Sequence, residues 1–530
     1  MIEINNPYSR RRFTLKEKFQ RKFTDLAVPL IKKIPLMEDW NDKPKYVPQF
    51  LSQLRQSAEY WNRDKWTNSK PTNVDVDLLS LYVSEYIPIE NVDKLNKGLK
   101  KVYKVFAPKR FNTNDISRID DFCNEVKQSI HGGSWSNFGF LEVGEESDLS
   151  GFAKQLQVHG THVSSSSIIL QFIITPSDNF VSEYKKLVES NVEDETVLTP
   201  SFKRFFSFWG SRTNPGSRVK ERLIEDLLLE LKWRTLIEMS KYFDMYFTSN
   251  KLVPPSIEVY KVKQTSCKFK YEENEQRNQF WESIGLIDFH FHEISKDGYW
   301  QLFSSERNQH LDSSVKITCN SEIPREAMFH SLDFQMVYYV QGFSMNLLPI
   351  LVMRNYVIDL SKQISIRQKD TFTSIKKAKP KYQKLINIRY ELEQNIHILK
   401  RFKNEMGESE FGRLKKKIMN SISDFEPSRP NFSDKLWAEI IVDNTIFLID
   451  KTYNHSQNFA KIIDDTVRLL EIKTNNSLRK RTFWLTIVTV ILSLVATLFA
   501  GYSLYFQLSI ESQNLIIGIF YSIKNLFGVL

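Results

Sequence analysis

The sequence predicts an α/β domain followed by a helical stalk and two C-terminal transmembrane helices, with the chain working as a homo-oligomer. Three observations carry this. The stretch 482–506, TFWLTIVTVILSLVATLFAGYSLYF, is an uncharged, overwhelmingly apolar run. As a helix its 25 residues span about 37 Å, enough to cross a hydrocarbon core of about 30 Å with some tilt. From Ser433 to Ala500 the chain has neither Gly nor Pro, a silence of 68 residues that reads as one long helix entering the membrane. Upstream, short runs rich in β-branched and aromatic residues alternate with helical patterns.

Composition sets the outer limits. The chain has 530 residues, 41% hydrophobic and 26% charged, with 17 Gly and 18 Pro, which excludes a disordered, collagen-like or low-complexity protein. Three scattered cysteines, Cys123, Cys267 and Cys319, make neither a disulfide framework nor a Cys-based zinc site. The basic N-terminal stretch 1–23 carries no apolar h-region, so the C-terminal run is the membrane signal.

The body is expected over 1–370. Strands are predicted at 138–143, 168–175, 256–262, 287–294, 299–303 and 315–318, and a strong helix over 217–247, after the turn TNPGS. No internal repeat, Walker loop, GxGxxG, GxSxG or HExxH occurs, so the sequence offers no catalytic residues and no enzyme is expected. Residues 371–430 form a basic helical pair: between Lys376 and Lys417 thirteen Lys/Arg face five Glu, a net of +8 out of the chain's +10. Such a run fits a solvated helical face, or attraction to anionic headgroups or an anionic regulator. Without a recognisable binding module, a nucleic-acid polymer is not an expected partner.

The stalk follows over 431–481, with Ser433 as N-cap and apolar residues at helical intervals through Leu436, Ile440, Phe447, Phe459, Ile463, Val467 and Leu470. A lone rod cannot bury that stripe, so it calls for other subunits or for the helices upstream. Arg479, Lys480 and Arg481 abut the first span, whereas the short outer loop over 507–514 carries one charge, Glu511. The positive-inside rule therefore puts the N-terminal body in the cytoplasm, consistent with a multi-pass protein of a bacterial inner membrane. The stretch 510–530 is long enough to span back, at a cost for Lys524 in lipid; the alternative is an amphipathic helix on the outer surface.

Three groups are candidate sites. At 100° per residue Thr482, Thr486, Thr489, Ser493 and Thr497 fall within an arc of about 80° on the first span. Aligned hydroxyls fit a pore lining, with stacked rings of oxygens, or a tight helix–helix seam. The segment 201–222 interleaves Lys203, Arg204, Arg212 and Arg218 with aromatic residues including Trp209, cations and a stacking face ahead of a helix N-terminus that suit a phosphate and a base. The same pattern fits an exposed basic loop with a hydrophobic anchor. Asp288, His290 and His292 alternate in DFHFHE, and His159 and His162 stand three apart in HGTH. Alternation on a strand gives one face, a metal site or simply a wet face; a polar wet face is the expectation, and no metal site is assigned.

The order of parts (α/β body, two helices, one very long helix running into the first span, short loop, second span) resembles the CorA family of homopentameric divalent-cation channels. The resemblance covers about residues 380–530 and implies a pentamer. The family's Gly-Met-Asn signature after the first span is missing; the matching stretch is Ala500-Gly501-Tyr502-Ser503-Leu504-Tyr505-Phe506. Glu511 and Asn514 are then the candidate outer-mouth rings. An enlarged body without the selectivity motif is similar to the CorA-type effectors of type III CRISPR systems. That resemblance implies antiviral defence, a nucleotide second messenger built from S-adenosylmethionine and ATP, and action on the host membrane. No firm cofactor is expected beyond such a nucleotide activator or a divalent cation. The alternatives are a divergent divalent-cation (Mg/Co) transporter and a non-conducting membrane anchor for a protein partner.

Overall fold

The structure, a computed structural model, describes residues 4–8, 17–20, 22, 67–72, 74–106, 114–128, 135–164, 167–199, 210–263, 279–287, 291–304, 314–321, 332–376, 382–407, 411–427, 435–507 and 509–528. The chain divides into two compact units, Met1–Ile364 with Asn395–Asn454, and Ser365–Gln394 with His455–Leu530.

The first unit is built on a mixed sheet. Its strands are β1 (Asp75–Pro88), β2 (Trp135–Glu142), β3 (Ala153–Ser164), β4 (Ser167–Pro176), β7 (Ser256–Lys263), β8 (Phe291–Ser295), β9 (Trp300–Ser304), β10 (Ser314–Asn320) and β11 (Phe425–Pro427), in the order β11-β8-β9-β10-β7-β1-β4-β3-β2. All pairings are antiparallel except β10 with β7. A separate hairpin joins β5 (Glu195–Thr199) to β6 (Gly210–Asn214). The helices are α1 (Val92–Val105), α2 (Asn114–Gln128), α3 (Asp178–Glu189), α4 (Gly216–Met239), α5 (Tyr246–Ser249), α6 (Gln279–Ser283), α7 (Leu332–Lys376), α8 (Tyr382–Gly407), α9 (Phe411–Ser421), α10 (Trp437–Gln507) and α11 (Ile510–Phe527).

β1 shows why the sheet is central. Residues 80–87 are buried without a break, because both faces of the strand are covered. Leu81, Val83 and Ile87 join the core made with α1, α2, α3, α4 and α6. Tyr82 and Tyr86 point the other way, to α7: the Tyr82 hydroxyl donates to the Val337 carbonyl at 2.6 Å, and Tyr86 stacks on Tyr356 at 4.4 Å.

Charges buried on the α4 face are paired. Glu258 accepts from Lys232 at 3.1 Å, Lys316 at 2.9 Å and the Tyr260 hydroxyl at 2.8 Å. Burial pushes the Glu258 carboxyl up, but the two ammonium groups outweigh it and hold it at about 2. Lys220, fully buried, donates to three carbonyls, of Asn68, Val188 and Ser190, and ties two stretches of backbone to α4.

Several expectations change. The helix expected over 217–247 ends at Met239 and restarts at Tyr246, because buried Glu85 captures the amides of Phe247 and Thr248, both at 2.9 Å, and opens a new turn there. α7 was not expected at all, and it runs across the 370/371 division between body and helical pair. The outer loop expected over 507–514 shrinks, since α10 reaches Gln507 and α11 begins at Ile510. Glu511 and Asn514 therefore lie in the opening turns of a helix rather than on a loop.

Candidate functional site

α10 is one unbroken helix of 71 residues, about 107 Å along its axis. Its first amide, Trp437 N, donates at 2.5 Å to Glu293, a buried carboxylate on β8. The other Glu293 oxygen is buried without a hydrogen-bond partner among the described residues. Burial pushes this carboxyl up to about 7, and the Trp437 amide only partly opposes that.

The helix then changes character along its length. In the first unit Trp437, Ala438, Ile441, Val442, Thr445, Ile449 and Thr452 form a buried seam, as do Ile396, Leu399 and Phe402 on α8. Lys403 pairs with Asp450 at 2.9 Å. In the second unit the seam continues with Ser456, Phe459, Ala460 and Ile463, and on α8 with Leu385, Ile388 and Leu392. Arg389 reaches Asp464 at 2.9 Å and also pairs with Glu393; Tyr382 donates to Glu471 at 2.9 Å. The stripe read from the sequence is thus partly covered within one chain, by the helices upstream.

From Glu471 onward the side chains are exposed almost without exception, Ile487 and Tyr505 being half-buried. Phe483, Trp484, Leu485, Leu492, Leu498 and Phe499 are each more than 60% exposed, so among the described residues nothing covers the apolar run. Among the described residues two helical stretches are long and apolar enough to cross a membrane, Asp333–Thr373 and Trp437–Gln507. They differ in environment: 67% of the apolar window is buried in the first and 0% in the second. The stretch expected as a second span, 510–530, is not among them. Its helix α11 is 18 residues long and carries Glu511, Gln513, Asn514, Lys524 and Asn525.

The hydroxyl line lies on the exposed part of α10. Thr486 donates to the Thr482 carbonyl at 2.9 Å, Thr489 to the Leu485 carbonyl at 2.8 Å and Thr497 to the Ser493 carbonyl at 2.8 Å. These three hydroxyl hydrogens are used inside the helix, which leaves their oxygen lone pairs to face outward. From the next helix Gln513 donates back to the Tyr505 carbonyl at 2.9 Å, capping an end of α10. Asn514 and Glu511 are exposed.

The other sequence candidates are less assembled. Lys203, Arg204 and Trp209 lie outside the described residues, between β5 and β6. Arg212 sits on β6 opposite Val197. Arg218 pairs with Glu221 at 3.2 Å, and the first amide of α4, Gly216 N, is taken by Asp194 at 2.6 Å. Arg218 and the start of α4 thus have protein partners. Asp288 and His290 fall outside the described residues. His159 is buried between sheet and α7, and burial holds its imidazole near 3, hence neutral. Among the described residues no group of three His, Cys, Asp or Glu could hold a metal ion.

Sequence reasoning missed Glu293, which the DFHFHE pattern presents only as one more polar residue. It also missed α7, whose middle, LLPILVMRNYVIDL, is apolar around a proline and has no clean period. No family model matches the chain, and neither a curated protein nor a solved structure matches it.

Proposed function

We propose that this chain is a membrane effector of CorA-like architecture: a cytosolic α/β body responds to a small anionic ligand of the nucleotide class, and α10 carries that response into the bilayer. One observation supports the reading most. A single helix begins on a buried carboxylate of the sheet, at Trp437 and Glu293, and ends in an exposed apolar run of membrane-spanning length. An exposed run of that kind is unstable in water and stable in lipid. Arg479, Lys480 and Arg481 at its entrance favour the body on the cytoplasmic side.

In this reading the chain acts as a homo-oligomer, five-fold by resemblance, in a bacterial inner membrane. The hydroxyls of Thr482, Thr486, Thr489, Ser493 and Thr497 line the path, with Glu511 and Asn514 at its outer mouth. The ligand is a second messenger of the kind made from S-adenosylmethionine and ATP, and the setting is type III CRISPR antiviral defence. The test is ion flux from proteoliposomes holding the full chain, with and without such nucleotides. Nucleotide-stimulated flux is expected; flux indifferent to nucleotide, with rescue of a magnesium-transport-deficient strain, would instead make the chain a divergent cation transporter.

A further inference from the structure

α7 contains a cluster of features that each weaken a helix at the same place. Pro349 lies inside it and has no amide to give to the Met345 carbonyl four residues back. Ser344 Oγ donates to the Gln341 carbonyl at 2.8 Å, and Asn346 Nδ2 to the Gly342 carbonyl at 3.2 Å, so two more backbone acceptors are shared with side chains. Gly342 is exposed, and an added Cβ there would meet nothing within 4 Å. Alanine would fit and would favour the helix by about 1 kcal/mol, so packing does not require the glycine.

The sheet surface beneath this stretch is polar. Ser84, Gln171 and His159 are cross-strand neighbours on β1, β4 and β3, all buried. Gln171 Nε2 donates to Ser344 Oγ at 2.7 Å, and Gln341 Nε2 lies 3.3 Å from His159 Nε2. That second contact is a long hydrogen bond in which neutral His159 accepts, which leaves its Nδ1 hydrogen without an acceptor among the described residues. Ser84 Oγ is likewise without one. A half-satisfied polar row holds a helix less firmly than apolar packing of the same area.

We propose that residues 341–349 of α7 are a built-in hinge, seated on the polar row Ser84–Gln171–His159, about which residues 332–340 move relative to 350–364. This does not rest on the channel reading; it concerns the first unit alone. The two arms differ in how they are held: downstream Leu351, Val352, Met353 and Val357 are all buried, whereas upstream only Met336 and Val340 are and Phe334, Tyr338 and Tyr339 are exposed. The stretch 341–349, anchored by Phe343, Leu347 and Leu348, thus joins a freer arm to a firmly held one, and the missing Met345 hydrogen bond lies at the joint.

The experiment is hydrogen exchange on the full chain in detergent, read by peptide. Residues 341–349 should exchange at least about tenfold faster than 350–360 although both are covered. In Gly342→Ala with Pro349→Ala the step should vanish, because helix propensity and the Met345 hydrogen bond are restored. In Gln171→Leu with Ser344→Ala, which replaces both partners of a buried bond, protection over 341–349 should rise with the melting temperature maintained. Equal protection on both sides of Pro349 in the unaltered chain, or an unchanged step in both variants, would overturn the hinge.

Discussion

α7 and α10 pass the same test of length and apolarity and live in opposite environments. The apolar window of α7 is 67% buried, and its middle contributes Leu347, Leu348, Ile350, Leu351, Val352 and Met353 to the protein interior. The window of α10 is 0% buried. Composition alone reports that a helix must leave water; it does not say whether protein or lipid receives it. The difference is visible in the pattern of polar residues. α7 carries Gln341 and Ser344 within its apolar stretch, where His159 and Gln171 of the sheet meet them. From 482 to 506 the α10 stretch has no charge at all, and the hydroxyls of Thr486, Thr489 and Thr497 bond their own backbone.

The largest expected effect breaks this symmetry directly. Leu348→Asp places an unpaired carboxylate in a fully covered site of α7 and should unfold the first unit, at a cost of roughly 3–5 kcal/mol or more. Leu492→Asp, at a 63% exposed site of α10, should leave the melting of the body unchanged and weaken insertion by about 3 kcal/mol. Circular dichroism melting reads the first, and flotation with liposomes the second. If Leu348→Asp melts like the parent and shifts flotation, α7 is a membrane helix and the assignment is reversed.

Much of this architecture was legible because its causes are local. The run at 482–506 and the Gly- and Pro-free stretch before it announce α10, and β4, β7, β9 and β10 show their strand composition. β1 and β3 were harder, since burial on both faces removes the alternation a half-buried strand displays, and β3 carries Gln157, His159 and His162. The hydroxyl line could be seen from spacing alone. The Glu293 cap could not, because it joins residues 144 apart and depends on which strand ends beneath the start of α10. The covering of the α10 stripe by α8 is likewise a tertiary fact, and copies of the chain were only one of the two answers the stripe allowed.

Second in size is the charge cluster under α4. Glu258→Gln removes the carboxylate that both Lys232 and Lys316 face and leaves two ammonium groups buried without their counter-ion, a loss of about 3–5 kcal/mol. Because the carboxyl is held below its ordinary value of 4.5, at about 2, its contribution is present above pH 4.5 and lost as pH falls through 2. Acid unfolding of the unaltered chain in that window, absent from an already weakened Glu258→Gln protein, is the expected pair of melts.

A smaller pH effect of opposite sign belongs to the anchoring of α10. The Glu293 carboxyl moves from 4.5 to about 7 by burial, so the folded state holds a proton that the unfolded state releases. Its stabilising contribution is complete below pH 4.5 and is lost as pH rises through 7, on the order of 1–3 kcal/mol. Glu85, raised to about 7 by the same cause, adds a parallel slope. Melting temperature should therefore fall between pH 5 and 7, and Glu293→Gln should remove part of that fall while keeping an acceptor for Trp437 N. A slope unchanged in Glu293→Gln and removed in Glu85→Gln would assign all of it to the α5 cap.

The smallest change in stability should come with the largest functional meaning, at the hydroxyl line. Thr486→Val and Thr497→Val remove hydroxyls that bond only the preceding turn of α10, so helix and insertion should change by less than about 0.5 kcal/mol. What these variants take away is the outward lone pair. In a pore, a ring of those oxygens in each layer solvates a passing ion, and replacing it with methyls dewets the constriction. Nucleotide-stimulated flux should then drop by about tenfold or more while native mass measurement still finds the oligomer. Ser493→Leu adds bulk at the same line and separates the remaining reading. In a tight helix seam the added methylenes would split the oligomer, since packed interfaces do not absorb them. In a pore the oligomer persists and the passage closes. Flux undiminished in all three variants, with assembly intact, would remove these hydroxyls from the ion path and leave α10 as an anchor whose lipid-facing side happens to carry them.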